Sequence, residues 1–185
     1  KTSLYRRISQ ELQAKGFTTQ RVNDREYFNR VVREDADQKL HSQSPDGRHM
    51  STTPALFERL FSLLKQDLLE TRWVEDWIFV ETTSADYAST INQFGLDFLK
   101  TCSVILVLAP YHVAMKRNEG RAWAAGDLDE GRVHDHYIQA CFEQTYRLEW
   151  LLPLFRKGIA LENEGSDMIE MVRLASEAVH WLLQD

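Results

Sequence analysis

The sequence carries little cysteine: two residues, Cys102 and Cys141, in 185. Two thiols cannot build a disulfide framework, so a packed core must hold the chain and a reduced, cytoplasmic compartment is the expectation. Long apolar runs are missing too, with none reaching the roughly 18 residues that a membrane-crossing helix needs. Beside Lys1, Arg6 and Arg7 there is no apolar stretch of the kind that marks a secretory signal, so neither export nor a membrane partner is expected. Positive charge is in deficit, with 22 Lys and Arg against 28 Asp and Glu and a formal net charge of -6. A global basic field for nucleic acid or an anionic bilayer is thereby excluded, and any anionic ligand has to be gripped by a local cluster. No repeat or low-complexity segment interrupts the chain.

What is present is apolar and regularly spaced. With 43% hydrophobic and 11% aromatic residues, the chain can bury one sizeable core, and we read a single domain over 1–185. Leu4, Tyr5, Ile8 and Leu12 recur at steps of three and four, predicting a helix from Thr2 to Ala14 with Gly16 as its stop. FTTQRV suits a strand, and Asp24 is placed to cap a helix over 25–34. The polar stretch from about 35 to 53, with Pro45 and Gly47, reads as a mobile loop. A helix over 54–69 precedes WIFV (77–80), a continuous apolar run typical of a strand buried on both faces. A helix over about 85–99 leads to SVILVLA (103–109), the most strand-like segment. A short helix then opens a charged connection, a longer helix from about Val133 stops near Pro153, and GIALEN forms a last strand. The final helix has Ser166 as its cap and Met168, Met171, Val172, Ala175, Val179 and Leu182 along one side. Alternating strands and helices predict right-handed crossovers and a three-layer α/β sandwich, a parallel sheet with helices on both faces. Ligands of such sheets gather at the carboxyl ends of the strands, where Asp24, Glu81 and the segment 111–121 fall.

A helix opening on Lys1 and Thr2 matches the second half of the phosphate-binding loop, G-x-x-x-x-G-K-[ST], whose lysine reaches the β and γ phosphates and whose hydroxyl ligates magnesium. The same pair also suits an ordinary solvated helix start. The order of segments resembles the P-loop small-molecule kinases, the superfamily of nucleoside monophosphate kinases, zeta toxins and the kinase domain of 6-phosphofructo-2-kinase. TTQRVNDREYFNRVV resembles that family's second strand and substrate-reading segment, and WIFVETTSADYASTINQFG its third strand with an acidic end. VILVLAPYHVAMKRNEGR is similar to the fourth strand and the arginine-bearing lid, and IALENEGSDMIEMVRLASEAVHWLL to the closing strand and helix. The resemblance covers nearly the whole chain from Lys1 onward and implies a P-loop fold, of which the first strand and glycine-rich loop are missing from this chain. It departs from the family at Glu81, where several relatives carry Asp.

The resemblance implies ATP and Mg2+ as cofactors. Lys1, Thr2 and Arg117 would bind the nucleotide, Thr2 and Glu81 the metal, and Glu81, Arg117 and Arg121 would act in catalysis. Such chemistry depends on positioning and charge neutralisation, which a lysine, a magnesium and mobile arginines provide. Arg117 and Arg121, four apart, share one face of a continuing helix and serve as a lid over about 117–132, or else form a solvated basic turn. Asp24, Arg25, Arg30 and Arg48 are the candidate acceptor contacts. Asp24 is equally a cap, Arg25 and Arg30 equally surface residues, and the loop of Arg48 equally a linker. His134 and His136 point to different faces of a helix and do not suggest a metal site. Cys141 reads as core, Trp73, Trp77, Trp150 and Trp181 as packing, and Trp123 as packing or a base-stacking residue.

The leading expectation is an ATP-dependent kinase moving the γ-phosphate to a hydroxyl or phosphate of a small-molecule or nucleotide acceptor, with nucleic acid a partner only as an acceptor end. The alternative is a nucleotide-binding regulatory or interaction module of P-loop fold without phosphotransfer. An intact or degenerate glycine loop ahead of Lys1 separates the two. A purely helical adaptor is opposed by the apolar strands.

Overall fold

Leu4, Ile8 and Leu12 lie four residues apart, so they share one side of helix α1 (Thr2–Ala14), and all three are buried. The helix stops where Gly16 takes a positive φ of 90° and its N–H reaches the Gln13 carbonyl at 3.0 Å. This computed structural model describes residues 2–43, 49–51, 54–82, 87–119, 148–165 and 168–184, together with 135, 138, 139 and 142. Strand β1 (Thr19–Asn23) follows, then α2 (Asp24–Glu34), a short antiparallel hairpin of β2 (His41–Gln43) and β3 (His49–Ser51), and α3 (Pro54–Glu70). Next come β4 (Trp77–Glu81), α4 (Tyr87–Phe94), α5 (Leu96–Leu99), β5 (Ser103–Leu108) and α6 (Tyr111–Glu119). A 3-10 turn at Leu148–Leu154, β6 (Lys157–Glu162) and α7 (Met168–Leu182) complete the order.

The architecture is mixed α/β, mostly helical, with small parallel sheets. Strand β1 pairs with β4, from Thr19 opposite Trp77 to Asn23 opposite Glu81. Strand β5 pairs with β6, from Ser103 opposite Lys157 to Leu108 opposite Glu162. Alternate residues of these strands divide between two apolar clusters. Trp77 and Phe79 of β4, Ile105 and Val107 of β5, and Ile159 and Leu161 of β6 join α1 and α7. Ile78, Leu106, Leu108 and Ala160 join α2, α3 and α4. Leu12 and Leu174 meet in the first cluster with no exposed surface, each burial favouring the fold by about 1.5–3 kcal/mol. In the second, Phe61 of α3 stacks obliquely on Phe94 of α4, with ring centroids 5.8 Å apart.

Several expectations are corrected. The cap of α2 is Asn23 and not Asp24: the extended Asn23 accepts the Arg25 N–H at 3.0 Å, and Asp24 is the first helical residue. The helix expected over 85–99 is broken at Gly95, whose φ of 78° is a left-handed conformation no helix interior holds. The stretch expected as a loop contains the β2–β3 hairpin, anchored by Asp35, whose side chain is 7% exposed. Asp35 Oδ2 accepts the Leu40 N–H at 2.7 Å and lies 2.9 Å from Nδ1 of the buried His41, while Oδ1 accepts the Lys39 N–H at 3.1 Å. Burial works against the Asp35 charge, but the Leu40, His41 and Lys39 donors outweigh it and hold the carboxyl below its usual range.

Strand β4, expected to be buried on both faces, is not: its residues are only partly covered and Val80 is 37% exposed. Among the described residues β4 pairs on one edge only, and a strand with an open edge keeps solvent contact. Trp150 is exposed, contrary to a packing role. On α7 the buried side centres on Leu174, Ala175, Ala178 and Val179, which leaves Val172 exposed. The cap at Ser166, the connection from 120 to 134, Cys141 and Trp123 lie outside the described residues. No helix among the described residues is long and apolar enough to cross a membrane.

Candidate functional site

Register places the carboxyl ends of β1 and β4 side by side, with Asn23 opposite Glu81 and Arg21 opposite Phe79. Arg21, Phe79 and Glu81 therefore share a face, and Arg21 reaches diagonally to the carboxylate. Its Nε donates to Glu81 Oε2 at 2.9 Å and its terminal nitrogen stands 2.7 Å from the same oxygen. The two side chains are 20% and 19% exposed, so the pair sits where water screens it only in part.

The beginning of α1 comes to this place. The ring of Tyr5, one turn into the helix, meets Phe79 edge-on with centroids 5.5 Å apart, and the Arg21 guanidinium lies 5.8 Å from the Tyr5 ring centre. Farther down, the Ser9 and Thr19 hydroxyls are 2.5 Å apart. Helix α1 thus runs antiparallel to β1, starting at the carboxyl ends of the strands. Thr2 stands at that helix start; its side chain, like Lys1, lies outside the described residues.

A second cluster closes the carboxyl ends of β5 and β6. The Asn163 N–H continues the ladder to the Leu108 carbonyl at 2.6 Å, and its buried side chain accepts from Arg117 at 2.9 Å. Arg117 also donates to the Gly165 carbonyl, so this expected lid residue is anchored to the connection between β6 and α7. Beside it Asn118, 1% exposed, donates to Asp135 at 2.9 Å. The Glu170 carboxyl is held below its usual range mainly by hydrogen bonding to Arg173, with Arg117 contributing at longer reach.

Among the expected site residues, the structure joins Glu81 to the start of α1 and places Asp24 and Arg25 in the first turn of α2, directly after β1. Arg30 instead enters a surface network, 3.2 Å from Glu34 and 3.7 Å from Asp67. Arg48 and Arg121 lie outside the described residues. Arg21, Asn118 and Asn163 were not foreseen. Only Arg21 left a signal: an arginine inside a β-branched strand, two residues before its polar end, needs an anionic partner if the strand is half-buried.

Among the described residues no three His, Cys, Asp or Glu side chains gather as a metal cage. Magnesium rarely uses one, being held by one or two carboxylates together with phosphate oxygens and water. A carboxylate at a strand end, as Glu81 is, fits that donor set. Neither a protein-family model nor a curated protein matches the sequence.

Proposed function

We propose that the protein is an ATP-dependent phosphotransferase of P-loop type, a three-layer sandwich acting on a hydroxyl or phosphate of a small-molecule or nucleotide acceptor. The observation that carries this reading is the meeting of Glu81, at the end of a parallel strand, with the beginning of a helix that opens on Lys1 and Thr2. Phosphoryl transfer asks for that juxtaposition of a cation, a hydroxyl and a carboxylate at one sheet edge.

In this reading Lys1 binds the terminal phosphates, and Thr2 and Glu81 hold the magnesium, which neutralises charge on the phosphates. Glu81 also orients the acceptor hydroxyl and takes its proton as that oxygen bonds to the γ-phosphorus and the bond from the γ-phosphorus to the β–γ bridging oxygen breaks, with ADP as the leaving group. Arg21 holds the Glu81 carboxylate in place beside the start of α1. Asp24 and Arg25, at the end of β1, face the acceptor side, with Arg48 and Arg121 as further anion contacts. Arg117, tied to Asn163 and Gly165, borders the nucleotide from the far end of the sheet rather than moving with a lid.

A binding module without phosphotransfer is the second reading, favoured by one observation: Arg21 already engages the carboxylate that chemistry would need. ATP turnover by the natural protein against a panel of nucleoside, sugar and sugar-phosphate acceptors decides between them. Glu81→Gln is expected to lower kcat by about 10²–10⁴-fold while ATP still binds, the range for a lost general base. ATP binding without turnover on any acceptor selects the binding module; no ATP binding removes both readings.

A further inference from the structure

We propose that the cleft at the amino ends of β1 and β4 binds a small organic cation, an alkylammonium group on an apolar body. Phosphotransfer is proposed at the carboxyl ends of the same strands, beside Glu81, so this site stands or falls apart from that reading. Gln13, Phe17, Thr18, Thr19, Val74 and Glu75 line a volume of about 440 Å³, within the range of small-molecule sites. Three segments meet there: the end of α1, its turn into β1, and the connection from α3 to β4.

Hydrogen bonds within the protein hold these walls in place without help from a ligand. The Thr18 N–H and hydroxyl donate to Asp76 Oδ2 at 2.7 and 2.8 Å, and the Asp76 N–H donates back to the Thr18 hydroxyl at 3.0 Å. The Trp77 N–H then reaches the Thr18 carbonyl at 3.1 Å, joining the start of β4 to β1. On the α1 side, the Thr19 and Ser9 hydroxyls are 2.5 Å apart and the Gln13 amide donates to Ser9 at 3.3 Å. The Trp73 indole N–H, bonded to the Leu68 carbonyl at 3.1 Å, fixes the residue before Val74. A cleft braced in this way spares a ligand the cost of ordering its walls.

The chemistry of the lining selects the ligand. Glu75 is its one charged residue. The Asp76 carboxyl next to it is held below its usual range by the Thr18 N–H and hydroxyl, so a second negative charge stands beside the cleft at neutral pH. Lys15 and Arg72 lie close in sequence but are exposed and outside the lining. Glu75 Oε2 accepts the Val74 N–H at 3.2 Å, and a carboxylate has room for about three more donors. Gln13 turns its N–H to Ser9, so its carbonyl oxygen is a further acceptor. Phe17, half-buried, and Val74, 85% exposed, add aromatic and aliphatic surface. A carboxylate, an amide oxygen and an aromatic ring make a set that suits an organic ammonium ion, which gains Coulomb attraction, N–H acceptors and ring contact together. An anion would be repelled by Glu75, and a neutral molecule gains nothing from its charge.

Nuclear magnetic resonance titration of the natural protein with n-butylammonium chloride tests this, with sodium chloride at matched ionic strength as the blank and n-butanol as the neutral isostere. The Thr18, Val74 and Glu75 amides are expected to shift together with a Kd of about 1–10 mM, and n-butanol to bind at least about tenfold more weakly. Glu75→Gln should weaken the amine about tenfold and Phe17→Leu about two- to fivefold, through loss of the carboxylate and of the ring. Unmoved Arg21 and Glu81 amides show that the strands of each variant stay folded; should Phe17→Leu disturb them, Glu75→Gln decides alone. No saturable shift up to about 0.1 M amine, equal affinity for n-butanol, or an unchanged Kd in Glu75→Gln overturns the proposal. So does an acetylated and amidated Leu-Lys-Leu peptide that binds more than about tenfold tighter than the amine, which assigns the cleft to a protein partner. ATP turnover plays no part in the readout, so failure of the phosphotransferase reading leaves this one standing, and the reverse.

Discussion

Arg21 and Glu81 form the ion pair on which the candidate site turns, and its strength can be worked out and measured. With nitrogen–oxygen contacts of 2.7 and 2.9 Å, the charge centres stand about 4 Å apart, which at an effective dielectric of about 20 gives an attraction near 4 kcal/mol. Both side chains are about four-fifths covered, so desolvation offsets much of this and leaves a coupling of about 1–3 kcal/mol. A fully exposed pair would give about 0–1 kcal/mol. The measurement is a double-mutant cycle of Arg21→Met, Glu81→Gln and the combined variant, followed by urea unfolding. Arg21→Met alone takes the Arg21 counter-charge from a carboxylate about four-fifths covered and is expected to be the most destabilising of the three. The combined variant recovers part of the loss, because it removes both charges of the pair together. The coupling should persist as salt is raised from about 0.05 to about 0.5 M, since covered charges are screened much less than exposed ones. A coupling under about 0.5 kcal/mol, or one abolished by salt, would show an ordinary surface contact and remove the argument that Arg21 positions Glu81.

Two further perturbations test the fold around the site. A β-carbon at Gly158 would stand 2.9 Å from Leu152 Cδ2 and 3.1 Å from Leu152 Cα, where backbone cannot yield cheaply. Gly158→Ala should therefore cost about 1–3 kcal/mol and lower the Tm by roughly 2–4 °C per kcal/mol in a chain of this size; an unchanged Tm would mean that the 3-10 turn does not press on β6. Asp35 has a carboxyl lowered in the folded state from an ordinary 3.8, so its stabilisation is complete above that value and drains away as pH falls through the lower folded value. Unfolding of the natural protein and of Asp35→Asn should accordingly differ most above about pH 5 and converge on acidification. A difference that stays constant down to pH 2.5 would contradict the sign.

How much was legible in the sequence depended on how local the deciding interaction is. The bounds of α1 could be read residue by residue, because Leu4, Ile8 and Leu12 write one stripe and Gly16 supplies the only nearby left-handed stop. The α2 cap was misplaced by one residue because Asn23 and Asp24 both cap well, and only backbone direction at the end of β1 decides between them. The β2–β3 hairpin escaped because three-residue strands carry no measurable period; what fixes it is the Asp35 carboxylate gathering donors from 39 to 41. The position of Glu81 at a strand end was readable, whereas its partner was not: Arg21 lies 60 positions away, and register between β1 and β4 is settled by packing of Trp77 and Phe79 against α1. Arg117 was read as mobile because its own segment is charged, and it is held by Asn163 and Gly165, which no local pattern announces.

The misreading of WIFV is the instructive one, because the composition is right and the burial is not. Runs without polar alternation are what a strand carries when helices cover both faces and neighbours cover both edges. In the structure the faces of β4 are only partly covered, Trp77 and Phe79 by one cluster and Ile78 by the other, and among the described residues the strand pairs on one edge only, so Val80 stays exposed.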